Sequence, residues 1–252
     1  MSEWDAEQYL KFQKQRTQPA IDLANRVKQY CPKRIVDIGC GPGNSTAVLH
    51  ETFPTAMLVG IDNSHSMLEK AKRNYPNLCF AHCDVKDIDS GYDLLFSNAC
   101  LQWVPDHARL LPDLMGKLNT GGVLAAQLPI NGAEPLYRII AEVTAQPMWG
   151  LQNGEKEVNE ALSSDEYFDI LSVCSCNFSL WETVYYHNMP THQALLEWVR
   201  GTRLRPYLAK MDKASAAAFE KVILDRVMQI YPIRRNGEIV LRFRRLFFIA
   251  EK

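Results

Sequence analysis

Residues 36–46 read VDIGCGPGNST, an apolar run that leads through a glycine-rich turn into a segment suited to a helix. Glycines allow unusual backbone angles and let a ligand approach the main chain without meeting a Cβ. Counted from Gly39, a dinucleotide fingerprint would place its third glycine where this chain has Asn44. The stretch therefore predicts a strand-to-helix junction, which is either a tight turn alone or a loop that suits a nucleoside better than a pyrophosphate.

Outward from this loop, short apolar runs alternate with longer helical stretches. We predict strands near residues 34–38, 57–61, 78–81, 93–97 and 122–128. Helices fit near 17–30, 44–52, 64–73 and 107–117, and the last of them is followed by turn residues from Asn119 to Gly122. This alternation is typical of βαβ units and predicts an α/β fold with half of a doubly wound parallel sheet.

After Pro129 the pattern changes and predicts helical cap insertions. The helical segments lie near 134–146, 164–173, 191–200 and 213–231, with β-like runs at Asn177–His187 and Glu238–Ala250. We expect the closing strand to return to the sheet. The predicted division is an N-terminal helical lid (1–30), a core (31–130), and cap segments with the last two strands (131–252), with core and cap forming one continuous unit.

The composition argues against several classes of protein. A formal net charge of -1 disfavours a nucleic-acid partner. Membrane association is also disfavoured, because no stretch approaches roughly 18 uncharged apolar residues. The N-terminus carries charges where a signal peptide would be apolar, so we expect a cytoplasmic protein. The seven cysteines lack CxxC spacing and no HExxH motif occurs, so we expect reduced thiols and no metal.

Two acidic residues follow the glycine loop at informative positions. Asp62 ends the second predicted strand, where a carboxylate can accept hydrogen bonds from both ribose hydroxyls. Asp84 lies just past the third strand, where it can meet an adenine edge. Each acid alone is equally consistent with a helix cap or a turn. In order with the glycine loop, however, they indicate a nucleoside site at the carboxyl ends of the strands.

These motifs, in this order over roughly residues 30 to 130, resemble those of the class I S-adenosylmethionine methyltransferases. The resemblance implies a Rossmann-like sheet and S-adenosylmethionine as cofactor, with S-adenosylhomocysteine as product. It also implies that residues 96–103 face the reacting methyl group. The cofactor-binding residues implied or proposed are Arg16, Asp37, Gly39, Gly41, Asp62, Asn63, Asp84, Val85, Asn98 and Gln102.

Beyond the core, the chain resembles the trans-aconitate methyltransferases. The resemblance is carried by Leu101-Gln102-Trp103 with Pro105-Asp106-His107, Tyr185-Tyr186-His187 with Met189-Pro190, and by His192-Gln193-Ala194, Leu204-Arg205-Pro206 and Arg245-Leu246-Phe247. It implies methyl-ester formation on trans-aconitate or a related small polycarboxylic acid. A carboxylate with a pKa of about 4 is already a nucleophile at neutral pH, so we expect no catalytic base.

Selecting one carboxylate of a polyacid requires cationic and hydrogen-bonding anchors for the others, and arginine suits this role. The predicted substrate-binding residues are Trp103, Tyr185, Tyr186, His187, Arg203, Arg205 and Arg245. For each arginine, a solvated face or surface ion pair is the alternative. His107 is expected to begin a helix rather than to take part in chemistry.

Other functions stay open at this point. They are a malonyl-acyl-carrier-protein carboxyl methyltransferase, a non-catalytic S-adenosylmethionine-binding regulator, and an NAD-dependent oxidoreductase, which Asn44 disfavours. The sequence does not fix the oligomeric state, although a monomer is favoured.

Overall fold

The computed structural model describes residues 13–151 and 161–252. In these ranges one seven-stranded sheet has the order β3-β2-β1-β4-β5-β7-β6. The strands are β1 (Arg34–Ile38), β2 (Met57–Asp62), β3 (Cys79–His82), β4 (Tyr92–Asn98), β5 (Leu118–Pro129), β6 (Asn177–Met189) and β7 (Ile239–Glu251). Strands β1 to β5 pair in parallel, whereas β7 runs antiparallel to β5.

The α-helices of the described ranges connect and cover these strands. They are α1 (Gln13–Arg26), α2 (Asn44–Thr52), α3 (His65–Asn74), α4 (His107–Lys117), α5 (Pro135–Thr144), α6 (Ser164–Cys174), α7 (His192–Arg200), α8 (Arg205–Leu208) and α9 (Lys213–Ile230). Local sequence sets several starts: the side chains of Ser64 and Asp106 accept backbone N–H bonds at the beginnings of α3 and α4. Such caps satisfy amides that have no partner within the helix.

The order of the strands fixes where a ligand can bind. Strand β1 is almost wholly buried, as expected of a parallel strand covered on both faces. It lies between β2 and β4, and the chain passes to opposite sides of the sheet from this point. Ligands of open α/β sheets bind at the carboxyl ends of the strands beside such a reversal. Here those ends are the loops that follow Ile38 and Asn98.

The predicted α/β sheet with helical insertions is confirmed, and the closing strand returns to the sheet beside β5. The predicted turn from Asn119 to Gly122 is wrong, because these residues form the start of β5. The pairing of β4 with β5 shifts register between Tyr92 and Leu94. Gly121 and Gly122 also exchange backbone hydrogen bonds with Lys252. The glycines therefore accommodate an irregular strand start rather than a reversal of the chain.

The chain divides into two compact units. The core unit contains Gln13–Pro129, the described residues 161–183, and Arg245–Lys252. The cap unit contains, among the described residues, 130–151 and 184–244. The cap unit has its own apolar cluster, which includes Leu136, Trp198, Phe219 and Phe243. Over the described ranges, we find no helix with the length and hydrophobicity needed to cross a bilayer.

Candidate functional site

The loop after β1 folds back on itself through left-handed glycines. Gly39 and Gly41 have φ values of 67° and 54°. The Cys40 amide donates to the Ile61 carbonyl oxygen at 2.9 Å, which ties the loop to the end of β2. Residues with a Cβ rarely adopt these angles, so glycine is favoured along this path.

The two glycines serve different purposes. A Cβ on Gly39 would lie 2.1 Å from the Cys100 sulfur, so this glycine lets the loops after β1 and β4 pack together. A Cβ on Gly41 would have no described atom within 4 Å. The backbone at Gly41 therefore borders open space, as a loop that receives a ligand must.

Asp62 is positioned at the end of β2 by the loop it supports. Its Oδ2 accepts the Gly41 amide at 2.9 Å, and its Oδ1 accepts the Ser64 amide at 2.8 Å. Partial burial raises the pKa of Asp62, while these amide donors act in the opposite direction. Each carboxylate oxygen has a further lone pair that can accept a ribose hydroxyl.

Asp37 lies beneath the loop rather than on its surface. The carboxyl group is fully buried, and its Oδ2 accepts the hydroxyls of Ser45 and Thr46 at 2.7 and 2.6 Å. Burial raises the pKa of Asp37 to about 7. These two bonds join Asp37 to the start of α2, and its role at the methionine end of the cofactor stays a prediction.

The predicted adenine side follows β3. Asp84 is half-buried and accepts the Lys86 amide at 3.0 Å, which caps a short 3-10 helix that begins at Val85. His82 at the end of β3 lies within 3.2 Å of the Asn63 carbonyl oxygen and stacks on His65 at 4.0 Å between ring centroids. This stacked pair braces the Asn63 peptide, and the sequence analysis did not identify it.

The segment after β4 is the second wall of the predicted cofactor site. Ala99 has a φ of 56°, and its carbonyl oxygen accepts the Gln102 side-chain amide at 2.7 Å. Asn98 is half-buried and accepts a hydrogen bond from the Gln127 side chain. The Gln102 side chain is buried, whereas Trp103 is partly exposed to solvent. The sequence predicted Asn98 and Gln102 but not Gln127.

Four buried polar groups around these loops have atoms without a hydrogen-bond partner in the described part of the chain. They are the Asp37 Oδ1, both polar atoms of the Asn44 amide, the Ser97 hydroxyl and the Gln102 Oε1. Buried polar groups are normally paired, and those that are not call for an explanation. A polar nucleoside-amino acid ligand such as S-adenosylmethionine provides donors and acceptors of the kind required. The residues present therefore fit this cofactor.

Asn44 and Ser97 were not among the predicted site residues. Only their positions in the sequence could have indicated them: Asn44 is the first residue of α2, and Ser97 lies one residue before the end of β4. Arg16, which was predicted to bind the cofactor's carboxylate, is half-buried in α1 of the core unit.

Arg245 is the predicted substrate anchor within the core unit. It is 4% exposed, and its Nη1 donates to Gln127 Oε1 at 2.8 Å. A charged group with so little exposure requires polar partners. Gln127 of the neighbouring strand β5 is one such partner, and the role of Arg245 in substrate binding stays a prediction.

The remaining predicted substrate residues lie in the cap unit. Tyr185 and His187 share one face of β6, with ring centroids 6.3 Å apart, and His187 also packs on Trp198 at 4.8 Å. Tyr186 points to the other face, because side chains alternate along a strand, and it is 64% exposed. The structure therefore does not bring Tyr186 together with its two neighbours.

Arg203 and Arg205 lie between α7 and α9, and both are half-buried. Arg205 is the first residue of the short helix α8. Their roles in substrate binding stay predictions.

His107 has a structural role, as expected from its position at the start of α4. Its Nε2 lies 2.8 Å from the Leu101 carbonyl oxygen, and its Nδ1 lies 2.6 Å from the Tyr167 hydroxyl. Because a carbonyl only accepts, Nε2 carries the proton and the tyrosine donates to Nδ1. Over residues 13–151 and 161–252, no cluster of three or more metal-ligating side chains occurs.

The fold matches solved structures. The YcgJ protein of Bacillus subtilis superposes with a TM-score of 0.57 at 13% identity, covering 91% of this chain and 97% of that one. A plantazolicin methyltransferase in complex with S-adenosylhomocysteine gives a TM-score of 0.54 at 14% identity, covering 98% and 91%. At these identities the likeness establishes the fold alone.

Sequence comparison is more specific. Residues 35–122 match the family model described as a methyltransferase domain. The trans-aconitate 2-methyltransferase of Escherichia coli O139:H28 is 40% identical, covering 100% of this chain and 99% of the relative. That of Methylobacterium nodulans is 41% identical with the same coverage. The glycine loop, Asp62 and the order of the strands agree with this match, and the chain therefore belongs to the trans-aconitate 2-methyltransferase family of S-adenosylmethionine-dependent class I methyltransferases.

Proposed function

We propose that this enzyme forms a monomethyl ester on a carboxylate of trans-aconitate. The observation that carries the proposal is the 40% identity to a trans-aconitate 2-methyltransferase over 100% of this chain. The match includes the cap segments as well as the core. Methyltransferases with different substrates usually diverge in such segments, so similarity there supports a shared substrate. We further propose that the reaction takes place in the cytoplasm.

The core unit would hold the cofactor through its loops. Asp62 is suited to accept the ribose hydroxyls, the Gly41 backbone gives close approach, and Asp84 with Val85 would flank the adenine. S-adenosylmethionine, when bound, supplies an electrophilic methyl group on a sulfonium centre. The buried Gln102 and the half-buried Asn98 would limit the access of water to this side of the loop.

The acid would bring its own nucleophile, since a carboxylate is ionised at neutral pH. The protein would therefore supply alignment rather than a base, and alignment alone is worth several orders of magnitude in rate. Arg245 is the core-unit side chain suited to hold a carboxylate, because a guanidinium can bind one in bidentate geometry. Tyr185, His187, Arg203 and Arg205 of the cap unit are proposed as further anchors.

The substrate is tested directly. Purified protein is incubated with S-adenosylmethionine and, separately, trans-aconitate, cis-aconitate, isocitrate, citrate and malonyl-acyl-carrier protein. Mass spectrometry follows the ester and S-adenosylhomocysteine. We expect kcat/KM for trans-aconitate to exceed that of every other acid. Preferred turnover of the carrier protein would instead assign the malonyl activity, and cofactor binding without turnover of any acid would overturn carboxyl methylation.

A further inference from the structure

A chain of hydrogen-bonded polar side chains crosses three adjacent strands of the core unit. Arg245 on β7 donates to Gln127 Oε1 on β5, and Gln127 Nε2 donates to Asn98 Oδ1 at the end of β4. Gln127 is fully buried. It pairs in register with Asn98 on one side and with Phe247 on the other, so Arg245 is its diagonal neighbour. The chain thus joins a predicted substrate anchor to a predicted cofactor residue.

The direction of these hydrogen bonds is fixed from one end. A guanidinium has only donors, so Gln127 must present its oxygen to Arg245. The Gln127 amide nitrogen then faces Asn98, and a nitrogen donor can be met only by the Asn98 oxygen. Asn98 consequently turns its own NH2 group away from Gln127. A single arginine therefore determines which end of Asn98 is available on the side remote from β5.

The backbone of Gln127 reinforces this arrangement. Its carbonyl oxygen accepts the Ala99 amide at 3.0 Å, and Ala99 has the left-handed φ of 56° that is unfavourable for a residue with a Cβ. Ala99 in turn accepts the Gln102 side chain. One residue of β5 thus holds both the side chain of Asn98 and the path of the segment that follows it.

We infer that Gln127 is a positioning residue that sets the polarity of Asn98 and the orientation of Arg245. With this polarity, Asn98 offers a donor to an anionic or carbonyl group of the ligands, which suits the carboxylate of a polyacid or of the cofactor. The substrate side of this inference rests on the proposed function. The cofactor side does not.

Two substitutions separate positioning from a structural role. Gln127→Glu keeps the size of the side chain and can keep both hydrogen bonds, but a carboxylate accepts at both ends. Asn98 must then turn its NH2 group toward residue 127 and its oxygen toward the side remote from β5. Gln127→Met keeps the volume and removes both bonds. A glutamine that merely joins the strands would tolerate the first change and not the second. A positioning glutamine would fail in both.

The measurements are the melting temperature, KM and kcat for trans-aconitate, and the affinity for S-adenosylmethionine by calorimetry. For Gln127→Glu we expect a melting temperature near that of the wild type, with KM raised about tenfold and kcat changed less. Gln127→Met should raise KM and also lower the melting temperature by several degrees. Wild-type KM and wild-type cofactor affinity in Gln127→Glu would overturn the inference.

Tyr30→Phe is the matched control for stability. It removes the 2.6 Å hydrogen bond to Glu251, which is the last residue of β7, whereas Arg245 lies in the middle of the strand. If Gln127→Glu is itself destabilised, a rise in KM that is absent from Tyr30→Phe still supports the inference, and equal KM values in the two variants overturn it. If the wild type methylates no acid, the proposed function fails. The affinity for S-adenosylmethionine then tests the role of Gln127. A weaker affinity in Gln127→Glu supports the inference, and an unchanged affinity overturns it.

Discussion

Gly39 and Gly41 lie two residues apart in one loop, yet an added methyl group meets different surroundings at each. At Gly39 it would collide with Cys100, whereas at Gly41 it would enter open space. Both have left-handed φ values, so each alanine also carries about 1 to 2 kcal/mol of backbone strain.

We therefore expect Gly39→Ala to lower the melting temperature substantially, because the segment around Cys100 must move. Gly41→Ala should lose cofactor affinity with only a modest drop in melting temperature. Differential scanning fluorimetry and calorimetry with S-adenosylmethionine distinguish the two. Equal thermal losses in both variants would contradict the assignment of different roles.

Asp37 links the same loop to pH. The unfolded chain has an ordinary aspartate pKa of about 3.9, whereas burial raises the folded value to about 7. Between these values the folded state holds the extra proton. The stability that this proton contributes is therefore complete below the unfolded pKa and is lost as the pH rises through the folded pKa.

Asp37→Asn should remove this dependence. The asparagine oxygen can keep the Ser45 and Thr46 hydroxyl bonds, and its NH2 group takes the place of Oδ1, which has no partner among the described residues. In urea unfolding, the free energy of unfolding of the variant relative to that of the wild type should rise by a few kcal/mol from about pH 5 to about pH 8. Parallel curves for the two proteins would refute a buried, protonated Asp37.

At the scale of elements, strands β1 to β4 could be predicted to within one or two residues. Their apolar runs are short, their ends carry turn residues, and parallel strands need no register information to be recognised. The short helix α8 was not predicted, because four residues give no period. The relay through Gln127 could not be predicted either, since it joins residues 118 positions apart through the register of β4, β5 and β7.

A buried polar pair joins α4 and α6. The Tyr167 hydroxyl donates to His107, whose other nitrogen holds the Leu101 carbonyl oxygen ahead of α4. Tyr167→Phe would leave a buried imidazole nitrogen unpaired, at a cost of about 1 to 3 kcal/mol. We expect a loss of several degrees in melting temperature with KM unchanged. The exposed variant Phe168→Tyr serves as the control, and an equal loss there would argue against a specific role for the pair.

For the whole molecule, the glycine loop and both predicted nucleoside acids lie in one compact unit assembled from separate stretches of chain. Two of the stretches contribute residues discussed above: β1 to β5 provide the loops, and Arg245 belongs to the stretch Arg245–Lys252. The cofactor motifs consist of residues close together in sequence. The side chains that hold these motifs in place come together only when the sheet is complete. This is why the order of motifs predicts candidate cofactor residues but not the residues that lie behind them.

Because a ligand that binds only the folded state stabilises it by mass action, the cofactor should raise the melting temperature of the protein. At about 100 times its Kd, S-adenosylmethionine should add about 2.7 kcal/mol. For a chain of this size that corresponds to about 5 to 10 °C. NAD should produce no comparable shift, because Asn44 replaces the third glycine of a dinucleotide loop. Asp62→Asn should need far more S-adenosylmethionine for the same shift, since its NH2 group would oppose either the Gly41 or the Ser64 amide. A full shift with NAD would show that the loop accepts a dinucleotide, and an unaltered titration in Asp62→Asn would place the ribose elsewhere than at the end of β2.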